Sequence, residues 1–130
     1  MERRKILIVD DEPEILQRLK ERLERDGFDV LTTASGRDAI IQTRIHLPDL
    51  ILVDIVLPDM DGAEVVRELH NHPATVAIPA IFLSGIISEN PDSKDGAEIM
   101  VAGRTYTALG KPFTYRQLKE KLDHLLSLME

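Results

Sequence analysis

Pro48-Asp49-Leu50-Ile51-Leu52-Val53-Asp54-Ile55-Val56-Leu57-Pro58-Asp59-Met60-Asp61-Gly62 is the stretch on which the fold of this chain turns. Its first half is an apolar, branched run bounded by turn formers, the pattern of a strand buried on both faces of a parallel sheet. One carboxylate, Asp54, closes the run. An unpaired carboxylate is strongly disfavoured inside such a strand, so Asp54 belongs at its carboxyl end. That is where parallel α/β sheets open into a ligand crevice. The plainer role for a lone Asp at this place is to cap the next turn.

Working outward, the 130 residues suit one domain, 1–130, with 43% hydrophobic and 30% charged residues. There is no cysteine, which excludes a disulfide framework, a thiolate metal site and thiol catalysis. A net charge of −7 and the absence of tryptophan argue against a nucleic-acid-binding face. The N-terminus passes from Met-Glu-Arg-Arg-Lys directly into a short strand, with no signal-like apolar region and no run of membrane-spanning length. The expected compartment is the cytoplasm.

Strands and helices alternate. Lys5–Val9 reads as a buried strand, and Asp10-Asp11-Glu12 leads into a helix opened by Pro13, with Leu16, Leu19 and Leu23 on one face and Gly27 as its stop. A second strand over Phe28–Thr33 precedes a helix carrying Ala39, Ile40 and Thr43; after the Asp54 strand comes a helix with Val65, Val66 and Leu69, closed by Pro73. Ile78–Leu83 is a fourth strand ending at Ser84-Gly85. Ser88–Gly96 is loop-like, Ala97–Ala102 is expected as a short helix, and Thr105–Leu109 as a fifth, weaker strand. The last helix starts at Thr114, with Leu118, Leu122, Leu125 and Met129 on one stripe, read as core packing with a weak homodimer seam left open. This alternation implies a parallel sheet covered by helices on both sides.

In a parallel sheet, Asp10-Asp11, Asp54, Ser84 and Lys111 all fall at strand ends on one rim. Clustered carboxylates repel and need protonation or a cation. Oxygen ligands with no His or Cys favour Mg²⁺. A lysine can pair with a carboxylate or phosphate, and a serine hydroxyl can donate to a phosphoryl oxygen. The set suits attack of Asp54 on phosphorus, with metal and lysine neutralising the developing charge. The plainer roles are helix caps for Asp10 and Asp11, a turn for Ser84 and a solvated loop lysine for Lys111. His46, His70, His72 and His124 show no metal-binding spacing, and His70-Asn71-His72 reads as a solvated helix end.

The motifs Ile-Leu-Ile-Val-Asp10-Asp11-Glu12-Pro13, Pro48-Asp49-Leu-Ile-Leu-Val-Asp54, Leu57-Pro58-x-Met60-Asp61-Gly62, Ile78-Pro79-x-Ile81-x-x-Ser84-Gly85 and Lys111-Pro112-Phe113 stand in order on the right strand ends. Over essentially its whole length the chain resembles the receiver domain of two-component response regulators. The resemblance implies a flavodoxin-like, doubly wound sheet of five parallel strands, order 2-1-3-4-5, with five helices, the fourth short or irregular. It implies Asp54 as phosphoacceptor, Mg²⁺ held by Asp11, Asp54, the Val56 carbonyl and, through water, Asp10, and Ser84 and Lys111 answering the phosphoryl group. The Lys111–Pro112 peptide would be cis. The implied donor is a sensor histidine kinase or phosphotransfer protein, and an output domain or downstream protein would read the signal; neither kinase, pathway nor output is named by the residues. Membrane and nucleic acid are not expected as direct partners.

The family usually has an aromatic residue three positions before the lysine, where this chain has Ala108; Tyr106 lies two residues earlier, on the same face of a regular strand. The Ser84–Lys111 span is also longer than usual, so the switch is expected to involve Ile86–Ala102 more than Tyr106. Val56 and Ile86, both branched and apolar, imply a dry approach to the site. The expected activity is signalling and not turnover. One rival, an aspartyl-phosphate phosphohydrolase, needs a second carboxylate two residues beyond Asp54, where Val56 stands. The other is a docking module that takes no phosphate, for which Ala108 speaks and Asp11, Asp54 and Lys111 do not.

Overall fold

The Leu50–Asp54 run forms a strand buried at every position, and the sheet is assembled around it. A computed structural model describes residues 3–85 and 97–129. In chain order the elements are β1 (Lys5–Val9), α1 (Pro13–Arg25), β2 (Asp29–Thr33), α2 (Gly36–His46), β3 (Leu50–Asp54), α3 (Gly62–His70), β4 (Ala80–Ser84), β5 (Ala97–Val101), β6 (Arg104–Gly110) and α4 (Tyr115–Ser127). The sheet order is β2-β1-β3-β4-β6-β5. The pairs β1–β2, β1–β3, β3–β4 and β4–β6 are all parallel, which is the expected 2-1-3-4-5 arrangement with β6 as its fifth strand.

Alternate side chains of the strands serve two cores. Leu7, Val9, Ile51, Val53, Phe82 and Ala108 face α2 and α3, and Ile6, Ile8, Leu50, Leu52, Ile81 and Leu109 face α1 and α4. Each fully buried aliphatic side chain contributes roughly 1.5–3 kcal/mol relative to exposure, so the central strands dominate stability. Helix starts follow the local chemistry. Pro13 occupies the first turn of α1, Ser35 caps α2 by accepting from the Asp38 N–H, and Thr114 and Gln117 form a reciprocal capping box on α4. The buried stripe of α4 is Leu118, Leu122 and Leu126; Leu125 lies at its edge, and Met129 is 44% exposed, so the stripe does not follow the expected Leu125–Met129 line.

The structure corrects one element. Ala97–Ala102 is not a short helix, because Ala97–Val101 is strand β5, antiparallel to β6 at the sheet edge. Four helices are present among the described residues. The burial pattern alternates, with Glu98 and Met100 exposed, Ile99 half-buried and Val101 buried, and Ile99 and Val101 join the cluster containing Tyr106 and Ala108. Ala102 (φ 52°) and Gly103 (φ 80°) make a two-residue turn with positive φ at both positions, the pattern of a type I′ hairpin that matches strand twist. The Ile86 position and the Ser88–Gly96 loop lie outside the described residues.

Candidate functional site at the carboxyl rim of the sheet

Register brings the site together. Val9 is level with Val53, so Asp10 and Asp54 emerge side by side from β1 and β3; Ser84 is level with Gly110, so Lys111 emerges beside the end of β4. The Lys111 N–H donates to the Ser84 carbonyl at 2.8 Å, and the Lys111–Pro112 peptide is cis. The Lys111 ammonium donates to Asp10 Oδ2 (2.8 Å), Asp54 Oδ2 (3.0 Å) and Glu12 Oε1 (3.2 Å).

The two inner aspartates are held alike. Asp10 Oδ1 accepts the Glu12 N–H at 2.9 Å, and Asp54 Oδ1 accepts the Val56 N–H at 3.1 Å. In each carboxylate one oxygen is fixed by the backbone two residues on, and the other faces the shared ammonium. The Asp10 side chain is 0% exposed and that of Asp54 7%, whereas Asp11 is exposed. Burial raises the Asp10 pKa above the usual carboxylate value, and the Asp54 charge adds to this, against the opposing bonds from Lys111 and the Glu12 N–H. Burial by itself would lower the lysine's pKa, but the hydrogen bonds and charges of Asp10 and Asp54 outweigh it and hold Lys111 above its ordinary value.

The loop after β3 is folded tightly onto the site. The Gly62 N–H donates to the Ile55 carbonyl at 2.7 Å, and a Cβ at Gly62 would overlap the Asp54 carbonyl oxygen, so only glycine fits. Asp59 reaches from this loop to the first turn of α2, accepting the Gly36 N–H (2.8 Å) and the Arg37 N–H (2.9 Å). Those bonds, the Arg37 N–H foremost, hold its pKa below the usual value. Carboxylate oxygens of Asp10, Asp11, Glu12 and Asp54 lie within 4.8 Å of one another, an all-oxygen donor set that fits a hard divalent cation. Glu12 is the residue of this group to which sequence reasoning gave no role; its signal was the unbroken Asp-Asp-Glu run.

Of the other expected site residues, Ser84 is fully buried at the end of β4. The Val56 side chain is 57% exposed and only its backbone reaches Asp54. Tyr106 and Ala108 are both buried on the α3 side of β6, the same face, with the Tyr106 ring edge-to-face on Phe82 at 5.9 Å between centroids. Ala108 pairs with Phe82 across β4–β6, so that phenyl ring and the Tyr106 ring flank its methyl group. Among the described residues His70 and His72 meet no metal cluster: they stand at the end of α3, His72 is exposed with its Nδ1 accepting the Ala74 N–H at 3.3 Å, and His70 is half-buried, its Nδ1 turned inward without a hydrogen-bond partner among the described residues. Among the described residues no helix is long and apolar enough to cross a membrane.

Comparison with known proteins agrees with this geometry. Residues 6–123 match the model of the response regulator receiver domain family. The chain is 34% identical over 127 residues to the alkaline phosphatase synthesis transcriptional regulatory protein PhoP of Bacillus subtilis, covering 98% of this chain and 50% of that protein. It is 39% identical over 80 residues to protein PilH of Pseudomonas aeruginosa, covering 62% of this chain and 66% of that protein. The chain thus spans about half the length of most of the curated relatives it matches. Among solved structures it is similar to the chemotaxis response regulator CheY4 of Vibrio cholerae, with TM-score 0.80 and 28% identity over 95% of this chain and 99% of that one. A CheY-like receiver domain protein from Methanospirillum hungatei gives TM-score 0.79 and 27% identity, over 97% and 95% of the two chains. With its carboxylates, its lysine and nearly all of its length accounted for in this way, the chain belongs to the receiver-domain family of response regulators, which are signalling domains of two-component systems.

Proposed function

We propose that Asp54 accepts a phosphoryl group from a phosphohistidine of a sensor kinase or phosphotransfer protein. The observation that carries this reading is the Asp54 carboxylate at the rim, its Oδ2 3.0 Å from the Lys111 ammonium, which also binds Asp10. In the reaction an Asp54 carboxylate oxygen attacks phosphorus, the O–P bond forms as the P–N bond breaks, and the imidazole leaves with the bonding pair and takes up a proton. Lys111 stands where it can follow the charge from the carboxylate to the new phosphoryl oxygens. Mg²⁺ would be held by Asp11 and Asp54 with the Val56 carbonyl and, through water, Asp10, Glu12 being a further carboxylate in the cluster, and it would neutralise charge on the phosphoryl oxygens.

A cavity of about 540 Å³ opens beside Lys111, lined by Ile15, Leu19, Pro112 and Phe113 with Arg18 and Arg22. Its apolar floor next to the phosphoacceptor suits the partner that presents the phosphohistidine. Ser84, buried at the end of β4, is the group to respond once the phosphoryl is in place, and Phe82, two residues earlier on that strand, packs edge-to-face with Tyr106. Position 56 offers only an isopropyl group and backbone, so no acid/base carboxylate stands two residues beyond Asp54 for turnover. The proposal therefore favours signalling over hydrolysis.

The test is incubation with a small acyl-phosphate donor and Mg²⁺, followed by intact mass. The chain is expected to gain one phosphoryl group, Asp54→Ala none, and Asp11→Ala is expected to lose Mg²⁺ affinity in calorimetry. A phosphoryl gain persisting in Asp54→Ala would overturn the assignment, and no gain in the unaltered chain would favour a docking module that takes no phosphate.

A further inference from the structure

The outer face of α2 is unlike that of the other helices. Its inner face buries Gly36, Ala39 and Thr43, yet Ile41 and Ile45 project outward, 46% and 65% exposed, and Leu47 at the helix end is 51% exposed. A surface helix normally confines its apolar residues to one stripe, and contiguous exposed aliphatics mark a surface that something covers. Beside this ridge runs a groove of about 470 Å³ between α2 and α3, with Met60 in it.

The charges along the groove divide by helix. The α2 wall carries Arg37 and Arg44, while the α3 wall carries Glu64 and Glu68 with Arg67 between them. Among the described residues none of these five side chains makes an ion pair within 4.0 Å. Gly36 packs against Met60 and Val65, which sets the Arg37 end of α2 beside the Met60–Glu64 end of α3. On a chain of net charge −7, this is a face where cations outnumber anions and all stand unmatched.

We propose that the α2–α3 face is a self-association surface on which a second copy of this chain docks about a two-fold axis running along the groove. Such an axis lays the α2 ridge of each copy over the α3 ridge of the other. Arg37 then approaches the second copy's Glu64, Arg44 approaches the second copy's Glu68, and Ile41 and Ile45 are covered. The contact is isologous, since the same patch supplies both halves and it closes at two copies. Self-complementary charge is what selects a second copy over an unrelated partner: each wall carries the countercharge of the other. The proposal does not depend on phosphorylation of Asp54, and it is tested on protein that has met no donor.

Sedimentation of the whole chain from about 1 µM to about 1 mM spans the affinities expected of a modest interface. The weight-average mass is expected to rise from 14.7 kDa towards twice that value. Ile45→Glu and Arg44→Glu are each expected to weaken the dimer by about tenfold or more, with circular dichroism unchanged. Arg44→Glu combined with Glu68→Arg is expected to restore it, because each swapped residue meets its swapped mate across the axis. A mass of 14.7 kDa at every concentration would overturn the proposal. So would a dimer indifferent to both single variants, or one dissolved by Met100→Glu instead, which would assign the contact to the edge of β5.

Discussion

The rim holding Asp54 and the edge holding β5 belong to the same sheet but are secured in different ways. At the rim, one ammonium ties together carboxylates from β1, β3 and the start of α1, the backbone of Lys111 is bonded to β4, and Gly62 is wedged against β3. At the edge, β5 has one neighbour among the described residues, β6, and among its described side chains Ile99 and Val101 enter the core. Groups that must meet a phosphorus atom in line need several independent constraints. A segment that changes state on a signal is drawn from the weakly held end of a structure. On the proposed function, chemistry and readout would be divided between these two regions, a division that can be broken from either side.

The largest effect is expected from Lys111→Met. Removing the shared cation leaves Asp10 buried beside Asp54 without a counter-charge, and breaking a buried ion pair in this way costs about 3 kcal/mol or more at neutral pH. The pH dependence fixes the cause. The pKa of Asp10 is raised in the folded protein by burial, so the folded state holds its proton more tightly than the unfolded chain does. Its contribution to stability is therefore fully present below the ordinary carboxylate value of 3.8 and is lost as pH rises through the higher folded value. In Lys111→Met that folded value rises further, so the variant's deficit in urea should shrink on acidification. The lysine's own raised pKa acts in another window, above 10.5, where its contribution is lost as pH rises. A deficit independent of pH would mean that packing, and not charge, was lost.

Gly62→Ala comes next. Its methyl group would overlap the Asp54 carbonyl, a backbone atom that cannot swing aside, so the loop must shift. Overpacking of this kind costs typically about 1–3 kcal/mol, and the shift displaces the Val56 N–H that fixes Asp54 Oδ1. Both urea stability and the rate of phosphorylation by a small donor are expected to fall together. Lost stability with an unchanged rate would show that the loop does not position Asp54.

These two regions also differ in how far sequence discloses them. Asp10, Asp54, Ser84 and Lys111 could be brought together from the sequence because each closes an apolar run, and parallel strands put all such ends on one rim. The family motifs then assigned each residue a role. Ala97–Val101 gave no such signal, since Ala, Glu and Met favour helices and five residues are too few to separate a period of two from one of 3.6. What decides for strand is the β6 edge together with the Ala102-Gly103 turn, a tertiary circumstance and a pair of backbone angles. The same ladder joins two features that the sequence set apart. Ile99 pairs with Tyr106 and Ala97 with Ala108, so the expected switch segment and the expected switch aromatic share one hairpin. Glu12, by contrast, was in plain view in its motif; its contact with Lys111 needed the fold.

The smallest effect is expected at the hairpin turn, and it separates edge from rim most cleanly. Gly103 has φ 80° and nothing within 4 Å of where a Cβ would stand, so Gly103→Ala meets no clash and suffers only the left-handed backbone cost, about 1 kcal/mol. Ala102, at φ 52°, already bears that cost, and Ala102→Asn should relieve about half a kcal/mol by placing the favoured Asn-Gly pair in the turn. Because β5 is bonded on one side only, among the described residues, the strain should be released by opening β5 from β6 rather than by unfolding the domain. Amide exchange should quicken at Ile99, Val101 and Arg104, the hydrogen-bonded positions of the hairpin, in Gly103→Ala and slow in Ala102→Asn. Exchange at Val9 and Val53, and phosphorylation at Asp54, should be unmoved in both. If instead the β1 and β3 amides lost protection in step with β5, the edge and the rim would be one cooperative unit, and the division of readout from chemistry would fail.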